Sequence, residues 1–384
     1  MEGKNLNVLI CPDSFKGTLS AKAAAEAISA GVRKVWPDAR LTIMPLADGG
    51  EGTLDALLVN GGQRFKQLVD GPQGTEIMAE WGILPDGTAV IEMATASGLT
   101  LVKPEENDLR IATSCGTGQL IRAAIVEGCT KFIIGIGGSA TNDGGMGAMR
   151  ALGARFLDEK GNELKTAASL ARLKRIDLSN FIDTKGMSIT IATDVDSPLC
   201  GQEGATYVFG PQKGGTPEVL NELELAMRNY AHVLKETFGW NVAETPGAGS
   251  AGGMGSALLA FLKGKIKPGI DVVMNAAGFE NAVDGSDIII TGEGKLDKQS
   301  LCGKTIAGVL KLAHGTPTIA ICGQVDLTEK EWREWGLTGA WGLMNLQETA
   351  DYAMTQPSVA LERATTIALK GSTKWKENNL EELF

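Results

Sequence analysis

The chain has 384 residues, 43% of them hydrophobic and 21% charged, which exceeds one ordinary hydrophobic core and predicts two domains. Its net charge of -10 argues against a nucleic-acid or anionic-membrane partner, although single loops can still be basic. Six scattered cysteines (Cys11, Cys115, Cys129, Cys200, Cys302, Cys322) form no C-x-x-C pair, so zinc spacing is absent and reduced, mostly buried thiols are expected.

The start, Met1 to Asn7, is polar, and the apolar run after it, Val8 to Cys11, is too short for a signal peptide or a membrane span. A cytoplasmic protein is expected. Leu6 to Cys11 reads as a strand, and Thr18 or Ser20 caps an Ala-rich helix reaching about Val35, stopped by Trp36-Pro37-Asp38. Leu41 to Leu46 is the next strand, so the opening is a parallel βαβ unit. The pattern then changes. Ile77, Ala79, Trp81 and Ile83 alternate, Pro85-Asp86-Gly87 turns, and Ala89, Ile91 and Met93 alternate again, which spells a β-hairpin. A helix from about Asp108 through Glu127 and a strand from Lys131 to Gly135 follow. Next come a second hairpin signal over Arg155 to Leu164, a strand from Ser188 to Thr193 and a charged helix from about Pro217 to Phe238. From Pro246 onward, glycine loops, helices and the strands Asp287 to Thr291 and Pro317 to Cys322 restore the βαβ rhythm. The tail from Lys370 to Phe384 reads as a polar helix, docked or frayed.

The predicted fold is α/β in two domains. A discontinuous Rossmann-like parallel-sheet domain takes 1–63, 103–146 and 246–384, and a smaller inserted α/β domain with the hairpins takes 64–102 and 147–245. The active site is expected in the cleft between them.

Ligands of an open α/β sheet collect beyond the carboxyl ends of its strands. Those positions here carry Asp13, Ser14 and Lys16, then Asp48-Gly49-Gly50-Glu51-Gly52-Thr53, then Gly135 to Gly145 with Gly137, Gly138, Ser139 and Asn142. Later strands deliver Asp194 and Asp196, and then Gly292-Glu293-Gly294-Lys295-Leu296-Asp297. Glycines beside hydroxyls, carboxylates and lysines are what phosphoryl transfer needs. Backbone amides and lysines hold phosphate oxygens, and carboxylates hold Mg²⁺.

Each element alone has a plainer reading. Asp48 in Ala-Asp-Gly-Gly fits a simple turn, and Gly247 to Gly255 fits either a phosphate loop or a close-packed helix entry. Lys16 could be a plain surface lysine; its place beside Asp13 and Ser14 favours a phosphate contact. Gly135-x-Gly137-x-x-Ala140 with Asp158 matches a dinucleotide fingerprint, but Thr141 to Gly145 delays the helix and Asp158 falls at a predicted turn. No Walker A motif and no protein-kinase H-R-D or D-F-G set occurs. His232 and His314 are isolated, which sets histidine catalysis aside.

Six motifs together resemble the bacterial glycerate kinase family, type I. They are C-P-D-S-F-K-G-T-L-S-A (11–21), P-L-A-D-G-G-E-G-T (45–53), G-I-G-G-S-A-T-N-D-G-G-M-G (135–147), D-V-D-S-P-L-C-G (194–201), P-G-A-G-S-A-G-G-M-G (246–255) and T-G-E-G-K-L-D (291–297). The resemblance covers nearly the whole chain, with Cys11 standing where alanine is more usual. It implies phosphorylation of D-glycerate by ATP with Mg²⁺, with 2-phosphoglycerate as the expected product. On that footing Asp194, with Asp48, orients and deprotonates the substrate hydroxyl, and Lys16 and Ser14 hold a carboxylate or the phosphoryl group. Asp13, Glu51 and Asp196 complete the acid's site. Gly137, Gly138, Ser139, Asn142, Gly292, Gly294 and Lys295 line ATP, with Glu293 or Asp297 near the metal. Sequence leaves open which carboxylate is base and which binds metal, and whether the chain forms a homodimer. A nicotinamide-dependent oxidoreductase of a small hydroxy acid and a non-catalytic small-acid sensor remain the alternatives.

Overall fold

The computed structural model describes residues 6–15, 17–301, 304–346 and 350–376. They form two compact units, Met1–Asp48 with Val273–Phe384, and Gly49–Val272.

The first unit is built on a five-stranded parallel sheet. Its strands are Arg40–Ile43, Asn7–Ile10, Ile288–Thr291, Thr318–Cys322 and Gly339–Gly342, in that spatial order. Alternation along one strand shows why both faces must be covered. Ile319 and Ile321 join one apolar cluster, while Ala320 and Cys322 join another. The helix Ala21–Val35 covers the first face. Ser20 caps it by accepting from Ala23 N, Arg33 and Lys34 complement its carboxyl end, and Ala24, Ala25, Ile28 and Val32 form its buried stripe. The helix Pro357–Lys376 packs against it so closely that a Cβ on Gly31 would stand 2.6 Å from Glu362 O.

The second unit holds a six-stranded sheet in the order Lys265–Lys267, Ser188–Ala192, Lys131–Gly135, Ala89–Glu92, Glu76–Ile83, Gln63–Asp70. The first four strands are parallel, Glu76–Ile83 joins them antiparallel, and Gln63–Asp70 pairs antiparallel with it at the edge. Its core runs from Trp81 and Phe132 to Tyr230 and Phe261. The long helix Pro217–Phe238 starts on a Thr216 cap with proline at its first position, and ends at Gly239 in the left-handed region.

The α/β class and the parallel sheets stand as expected. The hairpin around Asp86 forms, pairing Gly82 with Val90 and Ile83 with Ala89. The partition differs from the expected one. The inserted unit is a single piece, and it is the larger of the two. The strand Lys131–Gly135, placed by sequence with the amino-terminal strand, pairs instead with Ala89–Glu92 and Ser188–Ala192. Register with neighbours decides sheet membership, and an apolar run does not name its neighbours. The turn at Asp158 forms around its carboxylate, which accepts from Lys160 N (2.9 Å) and Asn162 N (2.8 Å). The strand leading into that turn, Arg155–Leu157, pairs with Arg175–Asp177 and meets Glu163 only in a single bridge. The helix expected from Asp108 begins at Cys115, because Asp108 Oδ1 accepts from Arg110 N (3.0 Å) and turns the chain first. The tail helix is present to Lys376, and 377–384 lie outside the described residues.

Candidate active site

In the first unit the strands run 2-1-3-4-5 in chain order, so the winding reverses between Asn7–Ile10 and Ile288–Thr291. That is the topological switch point, where doubly wound sheets bind their ligands. The loops leaving these two strands are tied by Asp13 N donating to Gly292 O (2.8 Å). A cleft of about 420 Å³ opens there, lined by Asp13, Ser14, Asp48, Glu293, Gly294, Lys295, Asp297 and Lys304.

Its carboxylates are held, not loose. Asp13 is 7% exposed, its Oδ1 accepts from Ser14 N (2.6 Å) and its Oδ2 from Thr305 Oγ1 (2.5 Å). Glu293 is also buried and accepts from Ser300 Oγ. Burial pushes its carboxyl up to about 7; the Ser300 bond and Lys304 pull down, while Asp13 and Asp297 add to the rise. A nearby cation would favour its ionised form. Lys295 pairs with Asp326 (2.8 Å) and lies 3.5 Å from Asp297. Among the described residues, no group of three or more His, Cys, Asp or Glu side chains gathers to hold a metal alone.

In the second unit the glycine motifs occupy the carboxyl ends of the parallel strands. Gly137 N donates to Gly49 O (3.2 Å), and a Cβ on Gly137 would stand 2.6 Å from Gly50 Cα. Ser139 Oγ accepts from Lys213 Nζ (2.8 Å), which also donates to Thr141 O (2.7 Å). Lys213 is 2% exposed; burial lowers its ammonium to about 7, against the pull of Asp143. Asn142 Nδ2 donates to Thr206 Oγ1 (3.0 Å). Asp194 is half-buried at the end of its strand, with Oδ1 accepting from Gly269 N (2.8 Å), and Asp196 and Glu51 are exposed.

The Gly247 to Gly255 motif is a close-packed helix entry. Ala251, Gly252 and Gly253 are left-handed in succession, and a Cβ on Gly252 would stand 2.0 Å from Thr141 O. The motif thus fits against the loop that carries Ser139 and Asn142.

Glu92, which the sequence did not single out, organises the start of the 52–58 segment. Its Oε1 accepts from Gly52 N (3.2 Å) and its Oε2 from Leu54 N (3.0 Å). Burial pushes this carboxyl up to about 7, the two amides pull it down, and Asp55 and Glu51 push it up. A folded-state value above the unfolded one means that the native state holds the proton longer. Stability from this group is therefore present at low pH and lost as pH rises from about 4.5 to 7. Glu92→Gln is expected to flatten that loss. In urea unfolding at pH 5, 6 and 7.5, the advantage of wild type over variant should shrink with pH, by on the order of 3 kcal/mol at most. A difference that does not change with pH would place the ionisation outside this window.

Of the sequence candidates, Asp13, Ser14, Asp48, Glu293, Gly294, Lys295 and Asp297 share the first unit's cleft, with Gly292 at its root. Glu51, Gly137, Gly138, Ser139, Asn142, Asp194 and Asp196 belong to the second unit. Lys16 lies outside the described residues. Sequence reasoning missed Lys304, Thr305, Glu92, Asp143 and Lys213. Gly303-Lys304-Thr305 was a usable signal, since it ends like a phosphate loop ahead of the helix Thr305–Leu312, although Lys298 stands where the leading glycine would be. His232 is a surface residue near Glu236 (3.3 Å), and among the described residues five cysteines are free, three of them buried.

A flavodoxin-like strand order with carboxylates, lysines and glycines at its switch point defines a doubly wound α/β protein with a charged cleft where such folds bind ligands. The model of the glycerate kinase family matches residues 8–370. A glycerate kinase of Halalkalibacterium halodurans is 43% identical over 364 residues, covering 93% of this chain and 96% of that one. The glycerate 2-kinase of Escherichia coli is 43% identical, covering 91% and 93%. A crystal structure of a protein assigned as glycerate kinase 2 of Salmonella typhimurium LT2 superposes with a TM-score of 0.83 at 39% identity, covering 97% of this chain and all of that one. The chain belongs to the glycerate kinase family.

Proposed function

We propose that this protein transfers the γ-phosphoryl group of ATP to a hydroxyl of D-glycerate, giving 2-phosphoglycerate. Family membership across residues 8–370 carries the reading, and the switch-point cleft supports it chemically. Relatives bearing the names glycerate kinase and glycerate 2-kinase match over at least 91% of both chains.

The residues present suit Mg²⁺. This ion keeps several waters and takes one or two carboxylates plus substrate phosphates, so Glu293 and Asp297 suffice without a third protein ligand. Bound there, it would neutralise phosphate charge. Asp194 is assigned as the base that orients and deprotonates the hydroxyl, with Asp48 as the other candidate. Ser14 and Lys16 take the acid's carboxylate or the transferring group, helped by Asp13, Glu51 and Asp196. Gly137, Gly138, Ser139, Asn142, Gly292, Gly294 and Lys295 line the nucleotide. No described helix is long and apolar enough to cross a membrane, and the free thiols fit a cytoplasmic setting.

Purified protein with Mg-ATP and D-glycerate should release ADP only when glycerate is present, and phosphorus NMR should show one product, 2-phosphoglycerate. Bound glycerate with intact ATP would replace the kinase by a small-acid sensor. A 3-phosphoglycerate signal would overturn the regiochemistry alone.

A further inference from the structure

Beside the charged cleft of the first unit lies a second cavity of different character. It measures about 260 Å³ and is walled by Phe15, Leu19, Leu343, Met344, Met354 and Pro357. Gly294 lines both cavities, so the apolar one continues from the end of the carboxylate-bearing loop. We propose that this slot takes the purine base of the nucleotide, its phosphates running past Gly294 toward Ser14, Lys295 and Lys304. The inference rests on the ATP reading above and names a subsite within it.

Three observations favour a flat, weakly polar ring system over the acid substrate. The first is the wall. The backbone groups around it are already engaged: Phe15 N donates to Leu19 O (2.9 Å), Gly323 N to Glu293 O (3.1 Å), Gln324 N to Gly294 O (3.1 Å) and Met344 N to Gly323 O (3.3 Å). What remains to meet a ligand is mainly apolar side-chain surface. A small carboxylate would lose its hydration there without replacement, whereas a ring gains from burial and from contact with methionine sulfur.

The second is shape. A Cβ on Gly323 would stand 2.5 Å from Gly294 O, and one on Gly292 would stand 2.0 Å from Ile321 O. These glycines let the loops after Ile288–Thr291 and Thr318–Cys322 run side by side, where Lys295–Leu296 pairs with Gln324–Val325. Their contact gives the slot its boundary with the charged cleft at Gly294.

The third is position. The slot lies with the loops beyond the carboxyl ends of the same parallel sheet, next to its switch point, where such folds place nucleotide ligands. A cavity of this size holds a base and leaves the sugar and phosphates for the adjoining cleft.

The test uses the intact chain and two substitutions, Met344→Asp and Ala353→Trp. Met344 is 43% exposed, so a charge there leaves the core untouched, while tryptophan at 353 fills the slot. Binding of N-methylanthraniloyl-ATP, read by its fluorescence, is expected to weaken at least tenfold in both variants. The KM for ATP should rise in step, and the KM for D-glycerate and kcat at saturating ATP should stay within about twofold. Thermal melts matching wild type exclude unfolding as the cause. Unchanged probe affinity in both folded variants overturns the slot, and so does a rise confined to the glycerate KM. Wild type that binds the probe competitively with ATP but phosphorylates nothing leaves the slot standing and removes the kinase reading. Wild type that fails to bind the probe removes the slot.

Discussion

Asp194→Asn is expected to lower kcat with D-glycerate by about 100-fold or more, with little change in the KM for ATP or in melting temperature. Asp194 Oδ1 accepts from Gly269 N (2.8 Å), and an asparagine amide oxygen can accept the same bond. Local structure therefore survives. An amide cannot take a proton from an alcohol near neutral pH, so the general-base contribution is lost. The acidic limb of the kcat/KM pH profile, which reports the free enzyme's base, should vanish with it. Steady-state kinetics from pH 5 to 9 on wild type, Asp194→Asn and Asp48→Asn would decide the assignment. Near wild-type turnover in the first, with a large loss in the second, transfers the role of base to Asp48.

The largest effect on stability should come from Asp143→Ala, at about 3–5 kcal/mol. This buried carboxylate accepts from Ser114 N (2.9 Å), Ser114 Oγ (2.9 Å), Gly145 N (3.0 Å) and Gly147 N (3.1 Å). Burial pushes its carboxyl up, and these donors oppose that rise. Alanine would leave the donors without an acceptor and the ammonium of Lys213 without a favourable charge. The loop anchored in this way carries Ser139 and Asn142, so activity should fall together with stability. Urea unfolding measures the first and glycerate-dependent ADP release the second. A loss below ~1 kcal/mol would show that the donors find other partners.

Local signals were legible wherever the physics was local. The helix Pro217–Phe238 and the strand Lys131–Gly135 lie where the sequence placed them, because cap, proline, glycine and periodicity act within a few residues. The same holds for the Ser20 cap and the turn at Asp86. The polar strand Gln63–Asp70 was not legible. It is an edge strand with Leu68 half exposed, held by pairing with Glu76–Ile83 and by Phe65 stacking on Trp81 at 4.5 Å. Nothing in its own alternation requires that pairing.

By itself the sequence determined the α/β class, the glycine-rich motif loops, most helix and strand cores and, through six motifs, the family. Tertiary structure decided which strands share a sheet, and therefore which loops share a cleft. It brought Lys304 and Thr305 to Asp13, and buried Lys213 against Ser139. In sequence Lys213 is one lysine in Gly-Pro-Gln-Lys-Gly-Gly, with the look of a solvated turn. Its burial depends on residues 72 and 74 positions away. Strand order and buried charge are set by contacts between distant segments, whose free energy no local window of sequence contains.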